Sequence, residues 1–80
     1  MKGGEKMPYN YSKLERKIKE VFGTIEKFAK AVGLSMRSVS LKLNGEREWK
    51  QSQIDRACEV LGISKNEIPL YFFALNVQSY

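Results

Sequence analysis

Histidine is absent from this chain, and cysteine, aspartate and tryptophan occur once each, as Cys58, Asp55 and Trp49. Without an imidazole there is no Ser-His-Asp or Cys-His catalytic arrangement. A lone thiol with no histidine supplies no recognisable zinc site. One cysteine forms no intrachain disulfide, so nothing in the composition asks for an oxidising compartment. The carboxylates are scattered and make no acid/base pair. The expectation is therefore no enzyme, no metal and no cofactor. Long apolar runs are missing too. The longest uncharged stretch, residues 68–80, is thirteen residues long and is broken by Pro69, Asn76, Gln78 and Ser79. A membrane span needs about 20 apolar residues, and residues 1–10 carry charge with no apolar run behind it, unlike a signal peptide. A cytoplasmic address is expected.

What is present is basic and globular. Eighty residues make one domain, and 14 Lys+Arg against 9 Asp+Glu give a net charge of +5. The excess is uneven. Residues 2–33 carry eight basic and four acidic side chains, residues 34–56 five and three, and residues 57–80 one and two. A basic first two-thirds suggests a polyanionic partner.

Hydrophobic spacing divides the chain into short helices. Residues 1–10, with Gly3, Gly4 and Pro8, have the character of a flexible tail. Ser12 and Glu15 form a capping box ahead of a first helix over 13–22, with Leu14, Ile18, Val21 and Phe22 at helical spacing. Thr24 caps a second helix over 25–32, which Gly33 ends. Ser35 caps a third over 36–43, ended by Asn44-Gly45. A polar loop carrying Trp49 leads to a fourth helix over 51–61, with Gly62 at its end. Ser64 and Glu67 make a second capping box before a short fifth helix, which Pro69 is expected to end or bend. Phe72 or Phe73 is expected to close the core, and residues 75–80 to be extended. Cys58 and Trp49 are expected to pack into or over the core.

The most informative segment runs from Phe28 to Gly45. Ala29 lets a second helix cross closely. Gly33 permits the turn, and Val39 and Leu43 pin the second helix onto the first. This is the mechanical pattern of a helix-turn-helix. With YSKLERKIKEVFGT before it, KFAKAVGLSMRSVSLKLNGEREW through it, then VLGIS and YFF, the sequence resembles the lambda-repressor-like DNA-binding domains. This five-helix group includes phage Cro and CI proteins, and the likeness is greatest to small regulators encoded by phages of Gram-positive bacteria. One departure is Lys42, three residues after Val39, where many members carry an apolar residue.

The resemblance implies an all-α, five-helix domain over residues 11–73, with residues 74–80 as a tail and possible dimerisation segment. It implies a sequence-specific double-stranded DNA-binding repressor in a bacterial host, associated with the nucleoid and pairing as a homodimer across an operator. Helical geometry then assigns roles. With Val39 and Leu43 inward, Met36, Arg37 and Ser40 point outward with Leu41 beside them, and together with Ser35 are the base-reading set. Arg37 is the principal reader, because a guanidinium bridges guanine O6 and N7. Thr24, Lys42, Asn44, Arg47 and Lys50 are the phosphate set, and Phe28, Ala29, Gly33, Val39 and Leu43 the motif core. An alternative on the same fold is a protein-binding module, such as an antirepressor or complex partner, using Met36 and Leu41 as an apolar docking surface. Salt separates the two, because phosphate neutralisation makes affinity fall steeply with salt.

Overall fold

The computed structural model describes residues 9–75, and these are all-helical. In order come α1 (Ser12–Phe22), α2 (Ile25–Val32), α3 (Met36–Leu43), α4 (Gln51–Leu61) and α5 (Ile68–Phe72), with a 3₁₀ turn at Lys65–Glu67 before the last. The bounds of α2, α3 and α4 are those expected from sequence, for local reasons. Thr24 and Ser35 hold extended backbone, and their hydroxyls accept from Lys27 N (3.2 Å) and Ser38 N (3.0 Å). Each thereby satisfies a backbone donor that the first helical turn leaves free. Gly33 closes α2 with φ 76°, in the left-handed region where a Cβ is strained. The next amide, Leu34 N, donates to Ala29 O at 2.9 Å.

Two helix starts differ from expectation. Tyr11, not Ser12, is the residue before α1, and it gives no side-chain cap. Asn10 Oδ1 instead accepts from both Ser12 N (2.8 Å) and Ser12 Oγ (2.6 Å). An asparagine two residues upstream competes for the same donor by forming an Asx turn, so the expected Ser12–Glu15 box does not assemble. Pro69 neither ends nor bends α5 but sits in its first turn, where its missing N–H removes no helical hydrogen bond. Before it, the Glu67 carboxylate accepts from Ser64 N (3.1 Å) and Ser64 Oγ (3.2 Å).

The core gathers Leu14 and Ile18 from α1, Phe28 and Ala29 from α2, Val39 from α3, Ile54, Ala57, Cys58 and Leu61 from α4, and Tyr71 and Phe72 from α5. Near-zero exposure of Ala29 explains why α2 needs a small residue there: α2 packs against α1, α3 and α4 at once. Phe72 closes the core, whereas Phe73 remains 48% exposed. Burial pushes the Cys58 thiol above its usual range, with Asp55 adding to the shift. Tyr9 pairs with Leu75 in an isolated antiparallel bridge, and Asn10 N donates to Ala74 O at 2.6 Å. These four residues, assigned to tails from sequence, thus join the two ends of the domain. Of the segment expected to be extended, residues 76–80 lie outside the described residues.

Candidate functional site

The side chains singled out from sequence separate into several places. Met36 (53% exposed), Arg37 and Ser40 are exposed on α3, with Leu41 half-buried beside them. Ser35 is committed to capping α3, and Thr24 to capping α2. Asn44 Nδ2 donates to Glu46 Oε2 at 2.8 Å, and with Ser40 it lines a shallow cleft shared with Glu15, Ile25 and Leu43. Of the motif core, Phe28, Ala29 and Val39 are buried, while Leu43 is half-buried.

Lys42 requires a correction. Its expected role was an exposed phosphate contact, yet it is only 6% exposed. Position 42 lies three residues after Val39 and so shares its inward face. The lysine stem occupies the apolar site while its ammonium donates to Glu48 O at 3.0 Å. Burial lowers the Lys42 pKa from its ordinary value, and Arg47 and Lys50 lower it further, against a smaller opposing effect of Glu48. Lys42, Arg47 and Lys50 meet with Leu34, Ser38, Glu48 and Gln53 around a cleft of ≈ 460 Å³. Of the expected phosphate set, these three are brought together and Thr24 and Asn44 are not.

A second surface was not assembled from sequence. Trp49 is buried, and its ring meets Phe72 edge-on at 5.3 Å, Phe28 at 6.5 Å and Tyr11 at 6.5 Å. Tyr9 carries the chain of rings outward, 6.4 Å from Tyr11 and 5.7 Å from Phe73 in a T-shaped contact. Two clefts open here. One, ≈ 260 Å³, is lined by Tyr9, Tyr11, Glu48, Trp49, Ile54, Phe72 and Phe73. The other, ≈ 340 Å³, is lined by Trp49, Gln51, Ile54, Asp55, Ile68 and Phe73. Phe73 lines both. Leu70 and Leu75, on either side of it in sequence, are 54% and 61% exposed. The Trp49 Nε1–H is buried and has no hydrogen-bond partner among the described residues. Burial raises the Tyr11 pKa, as do the neighbouring Tyr9 and Glu48. The available signal was compositional: aromatic residues at both ends of the chain and one tryptophan between them.

Among the described residues there is no group of His, Cys, Asp or Glu able to hold a metal ion. No helix among them is long and apolar enough to cross a membrane.

The chain is similar to a solved structure, the solution structure of the modulator of repression (MOR) of the temperate bacteriophage TP901-1 from Lactococcus lactis. Identity is 49%, the match covers 90% of this chain and 97% of that one, and the TM-score is 0.74. That protein is named as a modulator of repression. This finding overturns the expectation that the present chain is a sequence-specific, operator-binding repressor of the Cro/CI type, and it favours the protein-binding alternative. No curated protein sequence matches the chain. A family model described as "Protein of unknown function (DUF739)" matches residues 7–75, and the chain belongs to that family.

Proposed function

We propose that this protein is a small phage regulator that acts by binding a repressor protein, and that the aromatic end of the domain is its docking face. The observation that carries the reading is the Tyr9–Phe73–Leu75 surface with its two clefts. Large apolar side chains are exposed there together, and a cleft runs down to the buried Trp49. Contiguous exposed apolar surface of this kind marks sites of protein contact, and aromatic anchors set in pockets dominate binding energy at such sites. Asp55 borders the second cleft, which suits a partner surface that sets a basic group beside its apolar element. The likeness to a modulator of repression supplies the class of partner.

The five-helix scaffold serves here as a rigid support. Phe72 and Trp49 anchor the face to the core from below, and the Tyr9–Leu75 bridge holds its two edges together. The test is to titrate the chain into a purified repressor, encoded by the same phage, bound to its operator duplex. Direct binding to the repressor and an altered repressor–operator complex are expected, with no sequence-selective shift when the chain meets the operator alone. A chain that selects operator sequence by itself and ignores the repressor would overturn the reading.

A further inference from the structure

The two basic regions of the molecule are not equivalent. On α1, Lys19 pairs with Glu15 at 3.3 Å, Lys17 lies 3.9 Å from Glu20, and Lys13 sits over the Tyr71 ring at 5.4 Å. Two of its four cations are thus answered by carboxylates of the same helix and Lys13 by a ring of α5, while Arg16 forms no ion pair among the described residues. Between α3 and the start of α4 the situation differs. Lys42, Arg47 and Lys50 line one cleft with a single carboxylate, Glu48, and none of the three forms an ion pair with a carboxylate among the described residues. Ser38 and Gln53 add polar groups to the wall, and Lys50 precedes the N-terminus of α4, the positive end of that helix. Three crowded cations against one carboxylate leave an excess of positive charge that favours an anion between them.

This cleft adjoins the aromatic face. Glu48 lines both it and the Trp49 cleft, so the two clefts border each other at that residue. We propose that the Lys42–Arg47–Lys50 cleft is a second subsite for the same partner, receiving an acidic segment (aspartate or glutamate side chains) next to the apolar element that covers Phe73. The proposal rests on the protein-binding reading above. Carboxylates fit better than a nucleic-acid backbone. The cleft carries Glu48 in its own wall, and Glu46 is exposed close by in sequence. A run of phosphates would meet both, whereas one or two carboxylates reach the cations from one side. Arg47 and Lys50, the exposed members, make the contact. Lys42 holds the Glu48 carbonyl and so positions the loop on which they stand.

Two measurements on the whole chain test this. In the first, repressor affinity is followed at low and high salt for the wild type, for Arg47→Gln/Lys50→Gln and for Phe73→Ala. The double variant should bind about three- to tenfold more weakly at low salt and lose most of the salt dependence, whereas Phe73→Ala should bind weakly with that dependence intact. A double variant with wild-type affinity and salt response would overturn the subsite and leave the aromatic face standing. In the second, amide NMR shifts are followed while adding hexaglutamate, inorganic phosphate or a short duplex of arbitrary sequence. Hexaglutamate should move Ser38, Arg47, Lys50 and Gln53, and the double substitution should abolish the effect. Shifts produced by the duplex or phosphate but not by hexaglutamate, or by none of the three, would overturn it. This second measurement involves no repressor, so it separates failure of the subsite from failure of the broader reading.

Discussion

The aromatic end and the outer face of α3 both present side chains to solvent, but they are built on different logic. Met36, Arg37 and Ser40 project from one short helix, and nothing beneath them is left unsatisfied: Ser35 caps the helix and Val39 fills the core below. The aromatic end is drawn from residues more than sixty positions apart. It exposes Phe73 and Leu75 together, and it sits above a tryptophan whose N–H has no partner among the described residues. Exposed apolar side chains gathered in this way are the feature on which the proposed docking role rests. The two faces thus make opposite predictions about which one a partner protein covers.

The largest expected effect sets two adjacent residues of the aromatic end against each other. Phe72→Ala should destabilise the domain by about 3–5 kcal/mol in urea or thermal unfolding, because it empties a fully buried site. Phe73→Ala should change stability by about 1 kcal/mol or less yet weaken partner binding at least about tenfold. Equal losses of stability would mean that Phe73 belongs to the core, and the contrast between the two faces would collapse.

Next is Ala29→Leu, which should cost about 1–3 kcal/mol by overpacking the point where α2 meets its neighbours. The loss should appear in thermal unfolding whether or not a partner is present. An unchanged melting temperature would refute the close approach of α2 and α3 on which the α3 face depends.

Lys42→Met gives a smaller, pH-dependent effect. The folded state holds the Lys42 pKa below its ordinary value of 10.5, so the unfolded chain binds more protons between the two values and stability rises with pH across that window. Cys58 and Tyr11 act oppositely, since their folded pKa values are raised from 9.0 and 10.0 and their contribution is lost as alkaline pH ionises the unfolded chain. Comparing the variant with the wild type isolates the lysine. The wild type should gain on Lys42→Met as pH climbs toward 10.5, with the two within about 1 kcal/mol at pH 7. Parallel pH profiles would show that Lys42 is not buried as described.

Arg37→Ala should have the smallest effect: stability within about 0.5 kcal/mol and repressor affinity within about twofold. An Arg37→Ala loss larger than that of Phe73→Ala would return the α3 face to first place.

The helices were legible wherever their ends carry their own chemistry. Thr24, Ser35, Gly33 and Gly62 act within a few residues of where they stand, so α2, α3 and α4 could be bounded from spacing alone. Asn10 displaced the Ser12 cap because two side chains competed for one amide, and only geometry decides such a contest. Pro69 was misplaced because proline is acceptable in a first turn and disruptive later, and the distinction depends on where the helix begins. Lys42 misled because its charge argued for solvent while its register argued for the core. The long stem satisfies both demands by burying carbon and handing the ammonium to a carbonyl. The aromatic face was hardest to foresee. Its uncharged C-terminal part was read as a possible dimerisation segment, but Tyr9 and Tyr11 join it only through tertiary packing, which periodicity does not report.

The Tyr9–Leu75 bridge has a consequence for timing. Ribosomes add residues at about 5–20 per second and release the chain from its N-terminal side. Tyr9 has no bridge partner until Leu75 has emerged. The aromatic face proposed for docking therefore cannot assemble on a nascent chain before Leu75 is available. A product terminated before Leu75 would lack the bridge and with it the face proposed here for docking.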